Sequence, residues 1–121
     1  STTDGAHMPT ISTHVLDTAR GVPATGIDVI LECMTAGDSW HEVGRGTTND
    51  DGRVADIAGP DRTIDPGTYR MSFATEPYLD RTAGGGFYPR VRIEFVIAAG
   101  EAHYHVPLLL SPWGYATYRG S

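Results

Sequence analysis

Val91-Arg92-Ile93-Glu94-Phe95-Val96-Ile97 decides the fold class, because apolar residues at 91, 93, 95 and 97 alternate with Arg92 and Glu94. Successive side chains of a strand point to opposite faces, so the stretch from Arg90 to Ala98 reads as a strand with one buried face. The same reading holds from Thr68 to Thr75, where Tyr69, Met71 and Phe73 share a face opposite Arg70 and Ser72. From Gly26 onward, Ile27, Val29, Leu31 and Cys33 line one side, with Asp28, Ile30, Glu32 and Met34 on the other. Thr10–Leu16, Trp40–Thr47, Arg53–Ile57, Ala102–Leu109 and Tyr115–Arg119 also read as strands.

Turn chemistry separates these runs. Gly21-Val22-Pro23, Asn49-Asp50-Asp51-Gly52, Asp65-Pro66-Gly67 and Ala98-Ala99-Gly100 supply residues suited to tight or left-handed backbone. One helix is expected, Glu76 to Thr82, just before Gly84-Gly85-Gly86. The pattern predicts an all-β antiparallel sandwich of about eight strands with one short helix. No internal repeat and no linker interrupts it, so residues 10–121 read as one domain behind a polar tail, residues 1–9.

Composition narrows the function classes. A formal charge of −6 argues against broad contact with nucleic acid, which needs a basic footprint. It leaves room for an anionic small molecule, because local arginines set the field in a pocket. The single cysteine, Cys33, forms no internal disulfide and belongs to no zinc-binding pair. No run approaches the ~18 apolar residues of a membrane span. Ser1 to Thr10 lacks the apolar core of a signal peptide, so a cytoplasmic location is the expectation.

Four histidines lie beyond the tail: His14, His41, His103 and His105. His103 and His105 are two apart and would project from the same strand face. Imidazole suits proton transfer near neutral pH, although single histidines on strands are more often ordinary surface residues. Arg53 follows Asp51-Gly52 and would open the next strand, where its guanidinium could fork two donors onto a planar carbonyl or anionic ring. A solvated arginine beside Asp50 or Asp51 is the plainer alternative, and spacing alone favours it. The last residues are more telling. Ser111-Pro112-Trp113-Gly114-Tyr115-Ala116-Thr117-Tyr118-Arg119-Gly120-Ser121 stays aromatic and strand-like, whereas chain ends ordinarily become polar and fray. Gly120 would allow close backbone approach to a ligand, and Ser121 would bring a hydroxyl together with a carboxylate.

Thr13-His14-Val15-Leu16-Asp17-Thr18 with Gly21-Val22-Pro23-Ala24 resembles the opening signature of the transthyretin-like family. His103-Tyr104-His105-Val106-Pro107-Leu108-Leu109-Leu110-Ser111-Pro112 resembles its later signature. The ending Tyr118-Arg119-Gly120-Ser121 resembles the branch of that family that hydrolyses 5-hydroxyisourate during urate breakdown. The resemblance spans Ile11 to Ser121 and implies a transthyretin-like sandwich. It also implies a homotetramer with sites where subunits meet. Hydrolysis by a histidine-activated water is the mechanism expected from these residues; it requires no cofactor, and no carboxylate is spaced as an obvious third ligand for a metal beside the histidines. Carried over residue by residue, the resemblance implies catalytic roles for His14, Arg53, His105 and Ser121. Substrate contacts fall to Tyr118, Arg119 and Gly120, and His103 takes a supporting place. Phe87-Tyr88-Pro89 also fits, although Arg90 stands where many relatives carry an acid. The competing reading is a transthyretin-like carrier of an aromatic ligand, which would want an apolar channel instead of these charged groups. A structural or adhesive sandwich is a third reading, and it would not depend on the chain terminus.

Overall fold

Nine strands and one helix follow one another in the computed structural model, which describes residues 8–121. They are β1 (Thr10–Asp17), β2 (Val22–Pro23), β3 (Asp28–Thr35), β4 (Ser39–Thr47), β5 (Arg53–Val54), β6 (Gly67–Phe73), α1 (Thr75–Ala83), β7 (Val91–Ile97), β8 (His103–Ser111) and β9 (Gly114–Thr117). One sheet has the order β2-β1-β8-β9, with β5 also paired to β1; the other has the order β4-β3-β6-β7. Every pairing is antiparallel except β1 with β8, which run parallel. The expected tail falls outside the described residues for positions 1–7.

The alternating faces meet between the sheets. Ile11 and Val15 of β1 and Leu108 and Leu110 of β8 are buried against Val29, Leu31, Met71, Phe73 and Val91 of the opposing sheet. Each such side chain contributes about 1.5–3 kcal/mol by leaving water. Cys33 is half-buried and packs against this core, consistent with its place on the apolar side of its strand.

Three departures from the sequence reading have physical causes. Val22–Pro23, read as turn, pairs with the end of β1 as a two-residue strand. β5 is shorter than the expected Arg53–Ile57, although the chain beyond it still follows β1 through the Ile57 N–H bond to the Ile11 carbonyl at 2.9 Å. The helix begins one residue early, at Thr75, and stops where Gly84 takes the left-handed conformation, φ 74°, that glycine tolerates best.

Two buried polar contacts fix the sheet that carries the histidines. Thr13 points into the core and its hydroxyl donates to the Val106 carbonyl at 2.6 Å, locking β1 beside β8. Tyr104 is buried, and its hydroxyl donates to the Ala98 carbonyl at 3.0 Å while accepting from the Ala98 N–H at 2.9 Å. The phenol therefore clamps the turn that leads into β8 and sets where that strand starts.

Candidate active site

Because inward positions of β1 are Ile11, Thr13 and Val15, its intervening residues Ser12 and His14 fall on the outer face of the sheet. The same alternation on β8 buries Tyr104 and Val106 and turns His103 and His105 outward. Parallel register then sets Ser12 beside His105 and His14 beside Pro107. Residues separated by 93 positions in sequence become neighbours: the Ser12 hydroxyl lies 2.8 Å from Nδ1 of His105.

Arg53 reaches the other side of His14 through a tight turn. Asn49 accepts the N–H groups of Asp51 and Arg53 on its side-chain oxygen at 2.9 and 3.0 Å, and Gly52 donates to the Asn49 carbonyl at 2.9 Å. Gly52 has φ +76°, and a Cβ there would collide with the Val15 carbonyl, so the residue before Arg53 must be glycine. The turn delivers Arg53 directly across from His14 in the antiparallel pairing of β5 with β1. Arg53 is exposed and forms no ion pair with Asp50 or Asp51.

The chain end closes the third side. Gly120 pairs with His105 and donates its N–H to the His105 carbonyl at 2.9 Å. A Cβ built on Gly120 would run into the His105 ring, so glycine is required by close approach and not by an unusual φ. Ser12, Thr13, Arg53, His103, His105 and Ser121 are among the residues lining a polar cavity of about 320 Å³. His103 and His105 have nearly parallel rings, 10° apart, with centroids separated by 6.4 Å.

Burial holds His105 below the usual imidazole range, and the positive field of Arg53, then of His103 and His14, pushes in the same direction. Both effects favour the neutral ring. Among the described residues no group of three or more His, Cys, Asp or Glu side chains is arranged to hold a metal ion.

Not every expected residue faces this cavity. Tyr118 and Arg119 line a different, largely apolar cleft of about 280 Å³ between β7 and the β8–β9 edge, with Ile93, Phe95, Tyr104 and Val106 among its walls. The Arg119 guanidinium sits 5.1 Å over the Tyr104 ring and 3.2 Å from the Glu101 carboxylate, so it anchors the tail from behind. His105 borders both spaces. His14 is paired with Arg53 across β1 and β5 and is close enough to act on the charge of His105, but it is not among the residues that line the polar cavity. His41 lies on β4 in the opposing sheet, opposite Cys33, and takes no part. Ser12 was not among the expected residues. Its signal was the two-residue spacing from His14, which places both on one face of β1.

The sequence profile described as the HIUase/Transthyretin family matches residues 11–120. A probable 5-hydroxyisourate hydrolase of Caenorhabditis elegans is 50% identical over 92% of this chain and 81% of its own length. The 5-hydroxyisourate hydrolase of Mus musculus is 46% identical over 92% of this chain and 94% of its own. Among solved structures, Klebsiella pneumoniae 5-hydroxyisourate hydrolase superposes with a TM-score of 0.78 at 37% identity, covering 94% of this chain and all of that one. Sea bream transthyretin in complex with thyroxine gives a TM-score of 0.84 at 25% identity, covering 91% of this chain and 93% of that one.

Proposed function

The chain belongs to the HIUase/transthyretin family, and from that premise we propose that it hydrolyses 5-hydroxyisourate to 2-oxo-4-hydroxy-4-carboxy-5-ureidoimidazoline in urate breakdown. Shape alone does not choose between hydrolase and carrier, since the backbone superposes on a thyroxine-bound transthyretin as well as on a hydrolase. The choice rests on one observation: Arg53 stands across from His14 and shares a small polar cavity with His105 and Ser121. A carrier for an aromatic ligand has no use for that concentration of donors.

Opening a cyclic amide requires an activated water, donors for the oxyanion that forms at the carbonyl, and a proton for the leaving nitrogen. In our reading His14 and His105 hold and activate the water, one accepting its proton and the other donating. Arg53 orients the planar ring and takes up the developing negative charge through its fork of N–H groups. Ser121 contacts substrate or water. Tyr118, Arg119 and Gly120 form the tail that carries Ser121 to the cavity; Gly120 packs against His105, whereas Tyr118 and Arg119 face the other cleft and hold the tail in place instead of contacting substrate. Direct attack by water is preferred over an acyl-enzyme, because Ser111 and Ser121 sit in no Gly-x-Ser-x-Gly elbow and Cys33 packs against the core.

The cavity is shallow in one subunit, and a homotetramer that sets a second subunit against it supplies the missing wall. Activity is then expected to vanish when the protein is diluted to monomers. A monomer of verified mass with full turnover would refute the shared site.

The decisive experiment follows freshly generated 5-hydroxyisourate by ultraviolet absorbance with and without the protein. Catalysed decay is expected to outrun the spontaneous reaction by orders of magnitude; equal rates would overturn the assignment.

A further inference from the structure

Ser12 is a nearly buried polar side chain, 9% exposed, to which the reaction outlined above gives no task. Among the described residues its hydroxyl has one side-chain hydrogen-bond partner, Nδ1 of His105 at 2.8 Å. We propose that Ser12 is a positioning residue whose hydroxyl donates to Nδ1, holds His105 in the form protonated at Nε2, and so presents that imidazole to the substrate as a donor, leaving His14 to accept the proton of water. This inference rests on the reading of the chain as a 5-hydroxyisourate hydrolase.

Two arrangements share the same Ser12–His105 distance, and they differ in who donates. If Nδ1 carried the proton, the serine oxygen would accept it, and the hydroxyl hydrogen would need a second acceptor. No second partner for it is found among the described residues, so that hydrogen would have to turn to the cavity that Ser12 lines. With Ser12 donating, both groups are satisfied.

The surroundings point the same way. His14 on β1, Arg53 on β5 and His103 on β8 face the ring, and Arg119 of the tail and Glu94 of β7 border its far side. A base at this position would become an imidazolium beside the Arg53 guanidinium. A donor at this position stays neutral and still polarises a carbonyl, the manner in which a neutral histidine serves as electrophile in other enzymes. Gly120 lies close along one edge of the ring, near enough that a Cβ there would overlap Cδ2, and so limits movement toward the tail.

The test reads the ring directly. Two-bond proton–nitrogen correlation spectra of the wild-type protein are expected to report His105 protonated at Nε2, with Nδ1 of the unprotonated type. Ser12→Ala removes a bond that only the neutral ring can accept, so the His105 pKa rises in this variant. Its kcat falls roughly three- to tenfold, the value of one neutral hydrogen bond, with KM unchanged within about twofold. Ser12→Thr, which keeps the hydroxyl, restores kcat and the wild-type titration. A wild-type ring protonated at Nδ1 would overturn the proposal without need of any variant. So would a pKa that falls in Ser12→Ala, the result expected if serine accepts from the ring, or a kcat that does not change. If the wild-type protein failed to hydrolyse 5-hydroxyisourate, the functional reading would fall, while the tautomer measurement would still report on Ser12.

Discussion

Replacing Gly120 by alanine probes whether the chain end and His105 form one site. An alanine Cβ at this position would overlap Cδ2 of the imidazole and stand 3.1 Å from Cγ and 3.2 Å from Cβ. Carbon atoms rest comfortably at about 3.5–4.0 Å, so relief requires a relative shift on the order of 1 Å. Two movements provide it. Either the ring swings away and loses the Ser12 hydroxyl, or the tail lifts and gives up the Gly120 N–H bond to the His105 carbonyl. Both undo the site, and misplacing a positioned group by that distance lowers kcat/KM by about 10²-fold.

Overpacking strain of about 1–3 kcal/mol is dissipated by movement of Gly120 and Ser121, which follow β9 and the Arg119 contacts, without disturbing the core. The melting temperature therefore changes little. Initial rates of 5-hydroxyisourate decay are to be measured beside thermal unfolding of the same preparation. A variant with kcat/KM within about threefold of wild type would refute the claim that the tail must abut His105.

Three further outcomes are expected. Arg53→Ala lowers kcat by about 10²–10³-fold, as loss of an oxyanion donor does, and Arg53→Lys recovers little because an ammonium cannot fork two donors onto one ring; full recovery by lysine would reduce Arg53 to a point charge. Acidification weakens folding, because His105 is held below the usual imidazole range by burial and by Arg53: the unfolded ring takes up a proton that the folded ring refuses, so its contribution is complete above about pH 6.5 and is lost as pH falls through the depressed folded value. Urea midpoints across that interval measure it, and Arg53→Gln is expected to flatten the dependence. Tyr78→Phe removes a hydroxyl that donates to Oδ2 of Asp17 at 2.7 Å, where Asp17 is 4% exposed, and costs about 1.5–3 kcal/mol of stability with turnover unchanged; an unaltered melting temperature would show that this bond does not dock α1 onto β1.

Strand identity was legible wherever the two-residue period is strong. Val91–Ile97, Tyr69–Phe73 and Val29–Leu31 bury the residues that alternation marks as inward. The period is a property of the backbone, so a few consecutive residues suffice to reveal it. Where pairing partners decide, the local pattern fell short. Val22–Pro23 is a strand only because the end of β1 lies beside it.

The candidate site divides in the same way. Motif resemblance singled out His14, Arg53, His105 and the last four residues, and the Asp51-Gly52-Arg53 turn was visible as a turn. Ser12 was not, because its partner is 93 residues away and is reached only through the parallel register of β1 with β8. Nor did the sequence distinguish Ser121, which lines the polar cavity, from Arg119, which lies over Tyr104 on the opposite side. Alternation and turn chemistry thus determined which residues are inward, outward or at a bend, since those are short-range consequences of backbone geometry. Which outward residues meet is a long-range matter. It was settled by core packing and by the buried Thr13–Val106 bond, which hold β1 and β8 in the register that sets Ser12 against His105.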